Sequence, residues 1–130
     1  MKRRAACSCD ALSVETDGDP VRISVCHCTA CQQRSGSAFA VQARFPRERT
    51  RVTGPSTTYV RTGDSGGKAT FHFCPTCGAT VFYEIGGMPD VIAIAVGAFA
   101  DPTFPGPTIS VYAVRKHPWV TIAGVEEIFD

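Results

Sequence analysis

The sequence contains no long apolar run, almost no net charge and no sustained helical repeat. Its most apolar stretch, VIAIAVGAFA at 91–100, ends after about ten residues, short of the roughly 18 that a membrane-spanning helix needs. Lys and Arg number 13 against 12 Asp and Glu, so the charge gives no broad footprint for nucleic acid. Because no window repeats apolar residues every 3.6 positions, the sequence does not predict a helical bundle.

The length of 130 residues is that of one domain, and we expect a single domain spanning 1–130. The basic start, MKRR, is not followed by the apolar segment of a secretory signal peptide. We therefore expect a cytoplasmic protein with no membrane partner.

Almost every apolar segment alternates with a period of two and is bounded by Gly, Pro or Asp, which is typical of strands. The sequence therefore predicts an all-β fold, with one helical turn near Cys31 to Ser35. Segments 63–68 and 101–107 are predicted to be a turn and a proline-rigidified loop. The predicted strands are 21–25, 38–45, 57–62, 68–73, 80–85, 91–96 and 109–114.

Seven cysteines are an odd and high number, and in a reducing compartment such a number favours metal binding or catalysis over disulfides. They fall into three local groups with no isolated member. The groups are Cys7 and Cys9, then Cys26, Cys28 and Cys31, then Cys74 and Cys77.

The first and third groups predict a structural zinc site. On a strand, Cys7 and Cys9 would point to the same side, and CPTC at 74–77 forms a tight turn in which Gly78 permits a positive φ. Four thiolates close the coordination of Zn²⁺, and a closed site is structural. The alternatives are a paired redox role and unligated core thiols.

The second group, Cys26, Cys28 and Cys31, predicts a zinc ion with one open position, the arrangement of catalytic zinc. Three soft thiolates favour a thiol ligand over metal-activated hydrolysis. The alternatives are free or reversibly oxidised thiols, with a disulfide between Cys28 and Cys31 as the redox form, and a structural knuckle.

With these groups in place, the chain resembles the glutathione-dependent formaldehyde-activating (Gfa-like) family over nearly all of its length. The motifs follow in the family's order. They are CSC at 7–9, CHCTAC at 26–31, GSAF at 36–39, FCPTCGATVFYE at 73–84, VGAFADP at 96–102 and RKHPW at 115–119.

The resemblance implies folded-over antiparallel sheets similar to those of Mss4-like proteins (a β-tent) with zinc knuckles. It implies a structural zinc at the first and third cysteine groups and a catalytic zinc at the second. The family's founding activity is a carbon-sulfur lyase reaction that joins formaldehyde to glutathione as S-(hydroxymethyl)glutathione. The family often carries basic residues directly after the triad, where this chain has Gln32 and Gln33.

Three hypotheses follow for the function. The first is a zinc-dependent carbon-sulfur lyase-like enzyme acting on glutathione and formaldehyde or a related small aldehyde. The second is a zinc-stabilised thiol-binding or protein-interaction module without turnover. The third is a thiol redox sensor, which would show a low-pKa cysteine and a reversible disulfide.

The remaining candidate residues receive plainer interpretations. On a strand, His27 would face away from the cysteines beside it and act in packing or hydrogen bonding rather than as a ligand. His72 and His117 are assigned no catalytic role, and Trp119 is predicted to be a core residue. The basic stretch is interpreted as solvated surface charge; its members are Arg44, Arg47, Arg49 and Arg51.

Overall fold

The computed structural model describes residues 1–63 and 65–130. Strands are the main regular structure of the chain, as the two-residue alternation predicts. The strands are β1 Lys2–Ala6, β2 Ser13–Asp17, β3 Arg22–Cys26, β4 Ala40–Pro46, β5 Thr50–Thr53, β6 Thr57–Thr62, β7 Lys68–Phe73, β8 Thr80–Ile85, β9 Val91–Ala95, β10 Ile109–Val111 and β11 Glu127–Ile128.

Two sheets form in the described residues. Strands β1, β2 and β5 make a three-stranded antiparallel sheet, in the order β1-β2-β5. The other strands make an eight-stranded sheet, in the order β11-β10-β3-β4-β9-β8-β7-β6. Its pairs are antiparallel except where β10 lies parallel to β3 and to β11. The predicted all-β architecture of folded antiparallel sheets is confirmed.

The main core lies between these sheets because alternate strand residues turn the same way. On β4, Ala43 and Phe45 are fully buried in this core, and they pack with Val14 of β2 and with Ile92 and Ile94 of β9. Arg44, between them on β4, faces the opposite side of the sheet, as do Ala40 and Gln42. That opposite side carries the second cysteine group.

The helix α1, Thr29–Ser35, follows β3 after a short connection. Cys28 caps its first turn, since the Cys28 Sγ accepts a hydrogen bond from the Cys31 N–H at 3.3 Å. Gly36 ends the helix in a left-handed conformation with φ of 69°, which glycine adopts without strain. No helix of the described residues is long and apolar enough to cross a membrane.

Two predictions about the last third of the chain are wrong. The strand at 109–114 ends at Val111, because Tyr112 has a φ of 53° and starts a 3₁₀ turn at Ala113–Arg115. Trp119 is not a core residue, since 73% of it is exposed. The turn predicted at 63–68 contains Asp64, which lies outside the described residues.

Strands β1, β2, β5 and β11 were not predicted. The two residues of β11 are too few to show a period, and basic residues fill most of β1. Their pairing with neighbouring strands, rather than their own composition, makes them strands.

Candidate functional site

The first candidate site joins cysteines that are far apart in sequence. The Sγ atoms of Cys7, Cys9, Cys74 and Cys77 all lie within 4.8 Å of one another. The sulfur of Cys9 is 3.7 Å from that of Cys7 and 3.5 Å from that of Cys74. Thiolates at about 2.3 Å from a tetrahedral zinc ion stand about 3.8 Å apart. The donor set therefore fits a closed four-sulfur metal site, which we call the four-cysteine cluster.

Cys7 and Cys9 do not lie on a strand, so the predicted strand geometry at these residues is wrong. Strand β1 ends at Ala6, and the next residues turn back so that the Asp10 N–H donates to the Cys7 carbonyl at 3.1 Å. Asp10 has a φ of 70°. The Leu12 N–H donates to the Cys7 Sγ at 3.2 Å, so a turn rather than a strand positions this sulfur.

The second half of the four-cysteine cluster is the turn between β7 and β8. The N–H groups of Thr76 and Cys77 point to the Cys74 Sγ at 3.4 and 3.5 Å. Gly78 has the predicted positive φ, of 80°. Backbone hydrogen bonds from Ala79 and Cys9 lower the pKa of Cys77 to about 6, which favours the thiolate that a metal requires.

The second candidate site, which we call the triad, lies on the other side of the eight-stranded sheet. Cys26 is the last residue of β3, Cys28 caps α1 and Cys31 lies in the helix. All three side chains are buried, and their Sγ atoms lie within 4.8 Å of one another. In the part of the chain that the structure describes, no further Cys, His, Asp or Glu joins them. Three sulfur donors leave one position of a tetrahedral ion open.

The pKa values of two triad thiols, Cys26 and Cys31, are shifted in opposite directions. The hydrogen bond with Cys26 lowers the pKa of Cys31 to about 5, against the opposing effect of burial, and Cys28 and Arg34 lower it further. The same hydrogen bond, together with burial, raises the pKa of Cys26. Cys31 therefore ionises before Cys26, and binding of a metal would displace the remaining protons.

His27, between two triad cysteines, lies outside the sulfur group. Only 1% of it is exposed, and its ring packs against Phe39 with 6.1 Å between centroids. Neither ring nitrogen has a hydrogen-bond partner among the described residues. Burial lowers the pKa of His27, with smaller effects from Lys116 and His117. This placement agrees with the prediction that His27 packs against its neighbours rather than binding a metal.

The polar contacts of Gln32 tie α1 to the segment that follows β10. The side-chain amide donates to the His27 carbonyl at 2.8 Å and to the Arg115 carbonyl at 3.4 Å. His117 Nε2 donates to the Gln32 Oε1 at 2.8 Å. The ring of Trp119 lies 5.4 Å from that of His117. Gln32 thus holds the segment RKHPW beside the helix that carries Cys31.

A cavity of about 830 Å³ lies next to both candidate sites. Its lining includes Ala40, which packs against the triad, and Cys7 of the four-cysteine cluster. Arg34, Gln42 and Tyr83 also line it. A cavity of this size is ordinary for a small-molecule ligand.

Comparison with known proteins shows which family the chain belongs to. The model of the glutathione-dependent formaldehyde-activating enzyme family matches residues 2–115. The chain belongs to this family. No curated protein matches the sequence.

A solved structure similar to this member of the family is the crystal structure of a Rhodobacter sphaeroides protein. The two chains are 23% identical, and the match covers 78% of this chain and 91% of that one with a TM-score of 0.59. The likeness supports the fold.

Arg34 is a candidate site residue that the sequence motifs did not indicate. Its guanidinium lies 4.7 Å from the ring centroid of Phe71 and 5.7 Å from that of Tyr83. It also lines a second cavity, of about 450 Å³, on the side of Tyr59 and Phe71. The sequence could have indicated that Arg34 lies beside Cys31, since residues three apart on a helix are neighbours. The contact with Phe71 and Tyr83 depends on the sheet and has no local signal.

Proposed function

We propose that this chain is a zinc-dependent carbon-sulfur lyase-like enzyme, folded as one domain over 1–130. Its substrate would be a thiol adduct, formed from glutathione and formaldehyde or a related small aldehyde. The family supports glutathione and formaldehyde as reactants. The observation that carries the proposal is a buried group of three sulfur donors beside a cavity of about 830 Å³.

The two cysteine groups would have different roles. The four-cysteine cluster would hold a structural zinc ion, because its four donors leave no position for a substrate. Cys26, Cys28 and Cys31 would hold a second zinc ion. Bound there, zinc would supply a Lewis acid that favours the thiolate form of an incoming thiol.

The reaction needs no oxidant or reductant. The thiol gives up its proton, its sulfur forms a bond with the carbonyl carbon, and the carbonyl oxygen takes up a proton; the reverse order breaks the carbon-sulfur bond. Arg34 would attract an anionic thiol to the triad through its positive charge. Phe39 and Ala40 form an apolar part of the cavity wall, which would limit the access of water to the reacting atoms.

The test combines metal content with adduct formation. We expect two zinc ions per chain, falling to one when Cys26, Cys28 and Cys31 are all replaced by serine. That variant should lose the acceleration of S-(hydroxymethyl)glutathione formation, followed by NMR with ¹³C-formaldehyde. Thr29→Ser is the matched control, because Thr29 lies between the same cysteines and is exposed. Unchanged acceleration in the triple variant would contradict the proposal.

A second candidate is a zinc-stabilised module that binds a thiol or a protein without turnover. It is favoured by apolar side chains that are more than half exposed towards the end of the chain, namely Tyr112, Val114, Trp119, Ile128 and Phe129. This candidate predicts glutathione binding without acceleration, or no thiol binding. The same NMR experiment separates the two candidates.

A further inference from the structure

The cavity of about 450 Å³, which we call the second cavity, adjoins the larger cavity beside helix α1. Arg34, Gly78 and Thr80 line both cavities. Ala30 lines the second cavity and also packs against the triad. A ligand whose reacting atoms lie at the triad can therefore extend into the second cavity.

One wall of the second cavity is aromatic. Its members are Tyr59, Phe71 and Phe73. In the pairing of β6 with β7, Tyr59 lies opposite Phe71, and Phe73 lies two residues further along β7. Directly paired residues, and residues two apart on a strand, point to the same side of a sheet, so the three rings share one face. Because aromatic rings pack well against one another, this wall favours a flat, aromatic ligand.

Two arginines, Arg34 and Arg61, also line the second cavity. The Arg34 guanidinium carbon lies 4.7 Å from the ring centroid of Phe71, and guanidinium groups stack on aromatic faces. The Nε of Arg34 is buried and has no hydrogen-bond partner among the described residues. Arg34 lies three residues after Cys31 on α1, so it joins the triad to the aromatic wall.

Tyr59 is the most exposed member of the aromatic wall. It lies on β6, which ends the eight-stranded sheet, and 62% of it is exposed, against 5% of Phe71. A single exposed apolar residue is ordinary in a protein. Tyr59, however, lines a cavity next to the triad, and a ligand that covers its ring would remove apolar surface from water.

The second cavity has room for an aromatic ring. A cavity of about 150 Å³ is enough to hold benzene. The second cavity, at about 450 Å³, therefore accommodates one ring together with its substituents. Formaldehyde carries only hydrogen atoms on its carbonyl carbon and would leave this space unused. The larger cavity remains for the thiol.

We infer that the second cavity binds an aromatic group attached to the carbonyl carbon of the substrate, so that the chain takes aromatic aldehydes as well as formaldehyde. The inference rests on the proposed function. The bonds change as they do with formaldehyde: the sulfur bonds to the carbonyl carbon, and the proton lost by the thiol is balanced by one taken up at the carbonyl oxygen. The ring packs against Tyr59, Phe71 and Phe73.

The experiment measures the binding of stable thioethers to the zinc-loaded protein by calorimetry, with no aldehyde present. S-Benzylglutathione stands in for the adduct of an aromatic aldehyde, and S-methylglutathione stands in for that of formaldehyde. The unchanged protein should bind the benzyl compound about ten times more tightly, because a ring that packs against aromatic side chains gains about this factor. S-(Cyclohexylmethyl)glutathione has a similar size but no aromatic face, and it should bind less tightly than the benzyl compound.

Tyr59→Ser removes one ring from the wall at an exposed position, so the fold should persist. This variant should lose most of the preference for the benzyl compound and keep its affinity for S-methylglutathione. Tyr59→Phe retains the ring and should keep the preference. Val60→Ser is the matched control, because Val60 is 51% exposed and, as the next residue of β6, points to the other side of the sheet.

Equal affinity of the unchanged protein for the benzyl and methyl compounds would overturn the inference. An undiminished benzyl preference in Tyr59→Ser, or an equal loss in Val60→Ser, would overturn it too. So would equal binding of the benzyl and cyclohexylmethyl compounds. A benzyl preference without acceleration of adduct formation would instead remove the proposed lyase activity and leave the aromatic subsite in place.

Discussion

Replacing Cys74 by serine should destabilise the fold about twice as much as replacing Cys28 by serine. Cys74 is fully buried, and its sulfur contacts that of Cys9, 65 residues earlier in the chain. A metal ion held by both would connect the turn after β1 to the turn before β8. The four-cysteine cluster would thus cross-link the three-stranded sheet to the eight-stranded one.

The magnitude follows from the length of chain that the cross-link closes. A cross-link that closes 65 residues restricts the unfolded chain by about 4 kcal/mol in the loop-entropy treatment. The triad occupies one short segment, for which the same treatment gives about 2 kcal/mol. For a chain of this size, 4 kcal/mol corresponds to a fall in Tm of about 15 °C. Loss of metal binding energy would add to this fall.

Thermal unfolding followed by circular dichroism tests the reasoning. Both variants are measured with zinc and again after treatment with a strong chelator. We expect Cys74→Ser to melt about 15 °C below the unchanged protein with zinc present, and Cys28→Ser to melt about half as far below it. Equal shifts in the two variants would refute the cross-link argument. A Tm of the unchanged protein that does not respond to chelator would refute the role of a metal.

Two further predictions concern polar contacts on either side of the eight-stranded sheet. Hydrogen bonds from His72 and from a neighbouring arginine lower the pKa of Glu84. The ionised Glu84 therefore stabilises the folded state fully above about pH 4.3, and this stabilisation is lost as the pH falls through the lowered folded-state pKa. Glu84→Gln should flatten the decline of Tm between pH 5 and pH 3 (roughly the range over which a carboxylate titrates), and an unchanged decline would contradict this. Gln32→Ala should free the segment that holds His117, lowering the fluorescence anisotropy of Trp119 while far-ultraviolet circular dichroism stays constant. Unchanged anisotropy would show that Gln32 does not hold this segment.

Local sequence patterns were sufficient for several strands and for the grouping of the cysteines. The bounds of β6, β7 and β8 agree with the alternation at 57–62, 68–73 and 80–85, because a period of two is a property of neighbouring residues. The positive φ of Gly78 likewise follows from its place after CPTC. The resemblance to the family rests on motifs of the same short range.

Predictions that depended on surroundings were less reliable. Trp119 is exposed although tryptophan is usually buried for much of its surface, because it lies in a turn at the surface rather than on a packed strand. Arg44 was interpreted as solvated, but it lies half-buried beside Arg22. Neither outcome is encoded in the residues next to it.

Local sequence defines the chemistry available to this protein: seven thiols in three groups, alternating strands, and the motifs of a family. The face that each charge occupies depends instead on how distant strands pair. Arg44 and Tyr83 share a face because both pair with Ala93, and Arg34 of α1 lies over the Tyr83 ring because strand order brings the helix beside the sheet. Register is set by pairing between distant segments, and a shift of one residue would turn every side chain of a strand to the other face. No local pattern carries that information.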